Sequence, residues 1–267
     1  MTDHHAYLDA KRAVDDRALS REVLAGVAGV LETDPRVIEI GAGTLTMVER
    51  LHDWGLLDGG EWIAVDRDGE ALSVGRRRLL ERSDTGESST DGTFRIGDTT
   101  VRTIESEAIE YALRAEESAD LLVGCAVFDV VDAEAVLSSF ADLTEYVYAP
   151  ITYDGETVFE PTDPDEAAVI DAYHEHMRSY RPGGPDGGST LRSALSTVVV
   201  ADRSPWEIEP PYSDDERILV DHIVETVEEA VGETGLDASD WAERRRRQRD
   251  DGVLRYRAEN VDVFGRP

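Results

Sequence analysis

Apolar residues recur at helical spacing from the start of the chain: Tyr7, Leu8, Val14 and Leu19, then Val23, Val27 and Val30. Residues 1–33 therefore read as helices. Asp34-Pro35 breaks that pattern, and Val37-Ile38-Glu39-Ile40 follows as a β-branched run that enters the turn Gly41-Ala42-Gly43. Thr46, Met47, Leu51 and Trp54 return to helical spacing, and Trp62-Ile63-Ala64-Val65, closed by Asp66, reads as a second buried strand. Strand, helix and strand in such a short stretch predict a βαβ unit. A helix over 70–81, a polar surface loop over 83–92, strands at 93–96 and 101–104 around Gly97-Asp98, a helix over 108–114 and strands at 121–124 and 146–149 continue the alternation.

Beyond Pro150 the pattern changes without a linker. Asp163-Pro164-Asp165-Glu166 has the composition of a helix start, and Arg181-Pro182-Gly183-Gly184 stops that helix after Tyr180. A strand is predicted at 197–200, and Ser213-Asp214-Asp215-Glu216 has capping-box spacing ahead of Leu219, Ile223, Val227 and Ala230. A helix over 241–249 leads to an alternating segment, 254–264, suited to an edge strand. Alternating strands and helices predict an α/β fold with a mostly parallel sheet covered on both faces, behind an N-terminal helical extension. The chain is expected to be one domain over 1–267, made of the helices of 1–33, a first half over 34–150 and a second over 151–267.

Charge narrows the classes of partner. With 27 basic against 58 acidic side chains the formal charge is −31, which disfavours duplex nucleic acid because affinity for phosphate backbones comes from clustered Lys and Arg. Arg244 to Arg247 and Arg249 form the longest basic run, and on a helix they are expected to pair with neighbouring carboxylates. Apolar runs fall short of the ~20 residues that span a bilayer, and the start Met1-Thr2-Asp3-His4-His5 lacks the regions of a signal peptide, so no membrane partner and a cytoplasmic location are expected. Cys125 is the single cysteine, which excludes an internal disulfide and a cysteine-based zinc site; no metal is expected. Lys11 is the single lysine among cations that are otherwise arginine. In that respect the composition resembles salt-adapted proteins such as those of haloarchaea.

The turn Glu39-Ile40-Gly41-Ala42-Gly43-Thr44-Leu45 carries the strongest chemical signal. Its glycines allow a ligand close to the backbone, and the helix that follows offers free N–H groups. A glycine turn alone is most often a plain strand-to-helix connection. A dinucleotide site would place a third glycine where Thr46 stands, and Glu39 suits a ligand bearing a cation.

Glu39-x-Gly41-x-Gly43 after a strand resembles the first motif of class I S-adenosylmethionine-dependent methyltransferases, with Leu45 where a third glycine of that motif is common. The resemblance implies a Rossmann-like, seven-stranded fold, a cofactor-binding half over 34–150 and an acceptor-side half over 151–267. It implies that Glu39, Gly41, Ala42 and Gly43 hold the methionine end of S-adenosyl-L-methionine, that Asp66 with Arg67 meets the ribose, and that Glu107-Ala108, or else Asp98, contacts adenine. Cys125 would border the cofactor.

Ligands of open α/β sheets lie beyond the carboxyl ends of the strands, so the segment from Cys125 to Asp129, including Phe128, is expected to face the acceptor. Its Gly-Cys-Ala context lacks the Pro-Cys of thiolate-using enzymes, and Cys125 reads as a small filler. Val169, Tyr173, His176 and Tyr180 share a helix face, with Arg178 beside them. His176 is the first candidate base, followed by Tyr153 and His174, and Phe128, Tyr173, Arg178 and Tyr180 are candidate acceptor contacts. The stretch His176-Met177-Arg178, Gly187-Gly188 and Ser204-Pro205-Trp206 also resembles a little-characterised branch of small-molecule methyltransferases. Methyl transfer to a small molecule is therefore expected, with aminopropyl transfer or a non-catalytic cofactor-binding protein as alternatives and a homodimer left open.

A surface this acidic repels itself, and the repulsion falls as the Debye length shortens to about 3 Å near 1 M salt. The melting midpoint is expected to rise when KCl is raised from about 0.1 to about 3 M in a thermal scan; a flat or falling curve would show that the charge is not a salt adaptation.

Overall fold

The structure is a computed structural model that describes residues 4–31, 34–82 and 92–267. The loop expected over 83–92 lies outside the described residues except for Gly92. Three short helices, α1 (His4–Ala10), α2 (Arg12–Ala18) and α3 (Arg21–Ala28), precede β1 (Arg36–Ile40), α4 (Thr46–Asp53), β2 (Glu61–Asp66) and α5 (Gly69–Arg82). The hairpin β3 (Thr93–Ile96) and β4 (Thr99–Glu105) follows, then α6 (Ala108–Ala112), β5 (Ala119–Val123), α7 (Ala133–Phe140) and β6 (Thr144–Glu160). The remainder is α8 (Glu166–Tyr180), α9 (Gly187–Ala194), β7 (Thr197–Arg203), β8 (Trp206–Ile208), α10 (Asp214–Glu233), α11 (Ser239–Asp250) and β9 (Arg255–Arg266).

The sheet runs β3-β4-β2-β1-β5-β6-β9-β7, with β8 on β9. Its middle, β4-β2-β1-β5-β6, is parallel, and the outer pairings are antiparallel. Alternation sorts each central strand between two cores. Val37, Trp62, Ala64, Leu121 and Val123 point to the layer that holds α4, α5, α10 and α11. Ile38, Ile40, Ile63, Val65 and Leu122 point to the layer of α7 and α9. Both faces are dry, so these strands read as continuous apolar runs.

The expected seven strands become nine, because the β3–β4 hairpin adds β3 at one edge and the C-terminal part adds β8 alongside β9. The segment expected at the edge is interior: β9 lies between β6 and the β7 and β8 pair. Its alternating polar residues look like a wet face but are buried and bonded, as when Asp262 accepts from Ser20 N at 2.8 Å and Ile151 N at 2.9 Å. The true edge is β7, whose valines are open to solvent, Val199 by 52%. Strand β6 runs 17 residues, well past the expected 149, and bulges twice against β9. The capping box at Ser213 and Glu216 forms as predicted. In the basic cluster, Arg244 pairs with Asp163 and Asp165, Arg245 with Glu166, Arg246 with Glu228, Arg247 with Glu243 and Arg249 with Asp221. No helix among the described residues is long and apolar enough to cross a membrane.

Candidate active site

A cavity of about 620 Å³ opens beyond the carboxyl ends of β1, β2, β4 and β5. Parallel strands bring those ends together, and the backbone there leaves the sheet for its helices. The floor is the glycine turn, residues 65–68, residues 106–108 and residues 125–127, while Tyr7, Leu8 and Lys11 from the N-terminal helices and His222 to Val227 from α10 contribute to the walls.

Gly41 and Gly43 have φ of 60° and 49°, the left-handed region that glycine enters without a steric penalty. A Cβ on Gly41 would sit 2.5 Å from Val127 Cγ2, so this position also needs the missing side chain. Leu45, standing where a third glycine was in question, takes φ of 62° itself. Its fully buried side chain fills the layer beneath α5, where a Cβ on Gly75 would meet Leu45 Cγ at 2.9 Å and the Thr44 carbonyl oxygen at 2.2 Å. Burial of the leucine offsets the backbone penalty of ~1–3 kcal/mol.

Asp66 ties β2 to that turn. Its Oδ2 accepts from Gly43 N at 2.7 Å and its Oδ1 from Asp68 N at 2.8 Å. A carboxylate has about four lone-pair positions, so both oxygens keep acceptor capacity toward the cavity. Thr44, also lining the cavity, has a buried Oγ1 with no hydrogen-bond partner among the described residues. Glu39 is 2% exposed and accepts from Trp62 Nε1 at 2.8 Å. Burial pushes its carboxyl up to about 8, opposed by the Trp62 hydrogen bond and reinforced by the charge of Asp66. Glu107 stands at the N-cap of α6, makes no side-chain capping bond and is exposed at the cavity. Asp98 lies in the β3–β4 turn, at the amino end of β4 and away from the cavity.

The rest of the cavity is walled by β6, α8, β9 and the N-terminal helices. Tyr153 and Thr157 of β6 face it beside Asn260 of β9, and Tyr173 and Met177 come from α8. Arg181 reaches Asp129 at 3.5 Å; burial raises the Asp129 carboxyl above its ordinary range and Arg181 opposes the shift. For Lys11, burial works against the charge, but Asp15 at 3.2 Å together with Cys125 and Tyr7 outweighs it, and the ammonium is held above its usual range. Burial pushes the Cys125 thiol up to about 12, which keeps it neutral and removes it as a nucleophile.

Of the residues singled out from sequence, Glu39, Gly41, Ala42, Gly43, Asp66, Arg67, Glu107, Ala108, Cys125, Tyr153 and Tyr173 line this one cavity. His176, Arg178, Tyr180, Phe128 and His174 do not. The helix face that reaches inward is Val169, Tyr173 and Met177, with a spacing of four, and His176 is turned to α10, where Nε2 lies 2.9 Å from Glu233 Oε2. Tyr180 is exposed on the last turn against the His176 ring, and Arg178 reaches Glu175 at 3.4 Å on the surface. Phe128 is swallowed by the core of the α7 layer. His174 stands behind Tyr153, its Nε2 2.9 Å from the phenol oxygen. Sequence reasoning missed Lys11, Thr44, Arg181 and Asn260 as lining residues. Lys11 had a signal in being the only lysine; Asn260 sat in a segment read as an edge.

The sheet order and the cavity at the strand ends are those of the Rossmann-like class I methyltransferase fold. The sequence matches no family model and no curated protein. A candidate type II methyltransferase from Anaeromyxobacter dehalogenans superposes with a TM-score of 0.53 at 16% identity, over 93% of this chain and 96% of that one. A SAM-dependent methyltransferase from Thiobacillus denitrificans, solved with S-adenosyl-L-homocysteine, gives 0.48 at 12% identity over 94% and 93%. Magnesium protoporphyrin IX methyltransferase from Synechocystis, with the same ligand, gives 0.46 at 11% over 98% and 86%. The fold rests on the first of these.

The Glu39 carboxyl links the site to stability. It titrates at about 8 in the folded chain against an ordinary 4.5, so the folded state holds a proton that the unfolded chain releases. The stability this contributes is complete below pH 4.5 and drains away as pH rises to about 8. Glu39→Gln cannot ionise and should melt above the wild type at about pH 9, with the gap closing toward about pH 5. A gap that is constant with pH would show that Glu39 is ionised in the free protein. Slope that persists in the variant below about 6 includes the contributions of Asp262, whose carboxyl burial pushes up to about 6, and of Asp129, also raised by burial.

Proposed function

We propose that the chain is an S-adenosylmethionine-dependent methyltransferase acting on a small-molecule acceptor. The observation that carries this reading is the convergence of Glu39, Asp66 and Glu107, from three neighbouring strand ends, on one cavity with a glycine turn at positive φ. In that reading Glu39 faces the ammonium of the methionine end, the Thr44 hydroxyl and the glycine turn meet its carboxylate, Asp66 accepts the ribose hydroxyls and Glu107 with Ala108 borders the adenine.

The residues present fit this cofactor. A buried acid with no ion-pair partner among the described residues suits a cation, and an unpartnered Thr44 Oγ1 suits a polar ligand. Bound there, S-adenosylmethionine supplies a methyl group on a sulfonium, open to in-line attack. The chain's own contribution is then to hold the acceptor in line within about 3 to 3.5 Å and to keep water out. The cavity volume of about 620 Å³ is in the range of small-molecule sites, and a formal charge of −31 argues against a nucleic acid as acceptor. Aminopropyl transfer would leave the unpartnered Thr44 hydroxyl and the glycine turn without a carboxylate to meet, since the decarboxylated cofactor keeps its ammonium but has lost that group.

Calorimetry with S-adenosylmethionine and S-adenosylhomocysteine tests the reading. Asp66→Ala removes charge-assisted bonds worth about 1.5 to 3 kcal/mol, so affinity should fall roughly 10- to 100-fold. Unchanged affinity would take Asp66 out of the site, and tight NADH binding with none for S-adenosylmethionine would overturn the reading.

A further inference from the structure

Tyr153 and Asn260 are register partners on the antiparallel pair β6 and β9, which places their side chains together on the cavity side of the sheet. Both have capacity that the protein does not use. Asn260 is 5% exposed, and its Nδ2 has no hydrogen-bond partner among the described residues. A buried amide donor left unmade costs about 1 to 3 kcal/mol, so the cavity at this point is built for an acceptor atom. The Tyr153 oxygen lies 2.8 Å from Thr157 Oγ1 and 2.9 Å from His174 Nε2. With its own hydrogen given to His174 and the Thr157 hydroxyl donating to it, the phenol oxygen retains one lone pair toward the cavity. His174 is half-buried and is not part of the cavity lining, so it stands between the phenol and the solvent.

We propose that the acceptor is a phenol, that its hydroxyl proton leaves the cavity through Tyr153 to His174, and that Asn260 Nδ2 donates to an oxygen of the acceptor. This rests on the methyl-transfer reading. The acceptor O–H bond breaks toward Tyr153 Oη as the Tyr153 O–H bond breaks toward His174 Nε2. The acceptor oxygen uses a lone pair to form the O–CH₃ bond, the pair of the broken C–S bond stays on sulfur, and the proton on His174 passes to solvent. A phenol suits the relay because, with a pKa of about 10, it gives up its hydroxyl proton more readily than an aliphatic alcohol does. The flanking walls, Tyr7, Tyr173, Trp206 and Tyr256, offer planar apolar surface to an aromatic ring.

The charges around His174 favour a neutral imidazole that can receive a proton. Burial and then Arg178 lower its pKa, while Asp171 on the same helix and Asp186 ahead of α9 oppose them. Tyr153, held protonated by burial, cannot act as a base alone and needs His174 behind it.

The test uses the full chain with saturating S-adenosylmethionine and three matched probes: 2-naphthol, 2-naphthylamine and 2-naphthalenethiol. Formation of S-adenosylhomocysteine is expected from the naphthol. Tyr153→Phe and His174→Gln should each lower kcat roughly 10²- to 10⁴-fold, with S-adenosylhomocysteine affinity unchanged, and His174→Gln should flatten the acid limb of the pH profile. Asn260→Leu should raise the KM for the naphthol. Without any acceptor, NMR titration should show the His174 midpoint rising in Tyr153→Phe, because the phenol's hydrogen bond to the neutral ring is lost. If Tyr153→Phe does not fold, His174→Gln at its half-exposed position carries the kinetic arm. Binding of S-adenosylmethionine with no turnover of the naphthol, preference for the amine or thiol, or variants that keep the wild-type rate and pH profile would each overturn the proposal. Failure of the cofactor itself to bind would instead overturn the methyl-transfer reading.

Discussion

Glu39 sets the terms on which this fold is built. A carboxyl group buried at a strand end, with one indole N–H for company and a second acid nearby, is costly to ionise. Neighbouring elements are arranged around that cost. Trp62 on the next strand reaches across to it, the glycine turn leaves room above it, and Asp66 is absorbed by the turn's own N–H of Gly43. A core built only for stability would place an apolar residue at position 39. Keeping the acid is reasonable if a cationic ligand completes it, which ties a local instability to a use.

The N-terminal helices are held by charge as well as by the apolar burial of Val14, Leu19, Val23, Leu24 and Val27. Arg12 reaches Glu49 at 2.6 Å, Arg78 reaches both Asp9 and Glu49 at 2.8 Å, and the buried Arg50 meets Asp16 at 2.5 Å. Trp206 Nε1 donates to Asp15 at 3.0 Å, which in turn holds Lys11 at the cavity wall. In a chain with 58 acids and 27 bases, a few of the scarce cations, Lys11, Arg50 and Arg245, are placed inside, where pairing is screened least. The arginine run on α11 is also paired: Arg245 is buried between Phe159 and Trp241, Arg246 and Arg249 reach carboxylates of α10, Arg244 reaches Asp163 and Asp165 ahead of α8, and Arg247 pairs within its own helix.

The parallel half of the sheet and the cavity residues at its strand ends were legible from sequence because they depend on local signals. Glu39 precedes its glycines in one strand-to-helix turn, Asp66 ends a strand that four apolar residues announce, and Glu107 opens a helix. The wall made by β6, α8 and β9 depends on long-range pairing, which sequence pattern does not carry. Strand β9 looked like an edge because Asn260 and Asp262 alternate with valines, although both are buried. The face of α8 was misread at His176 because the inward face carries Val169 in the core and Tyr173 and Met177 at the cavity, and a histidine one position before Met177 turns to Glu233 instead. Tyr153 lay four residues past the expected end of its strand, so its pairing with Asn260 had no sequence signature.

The protonation state of Glu39, followed by carbon-13 NMR of its side-chain carboxyl with and without S-adenosylhomocysteine, tests the account most directly. The free protein should titrate with a midpoint at about 8, and at neutral pH the ligand's ammonium should convert the group to the carboxylate. A carboxyl already ionised at neutral pH in the free protein, or one indifferent to saturating ligand, would contradict the claim that this buried acid is the cofactor's anchor.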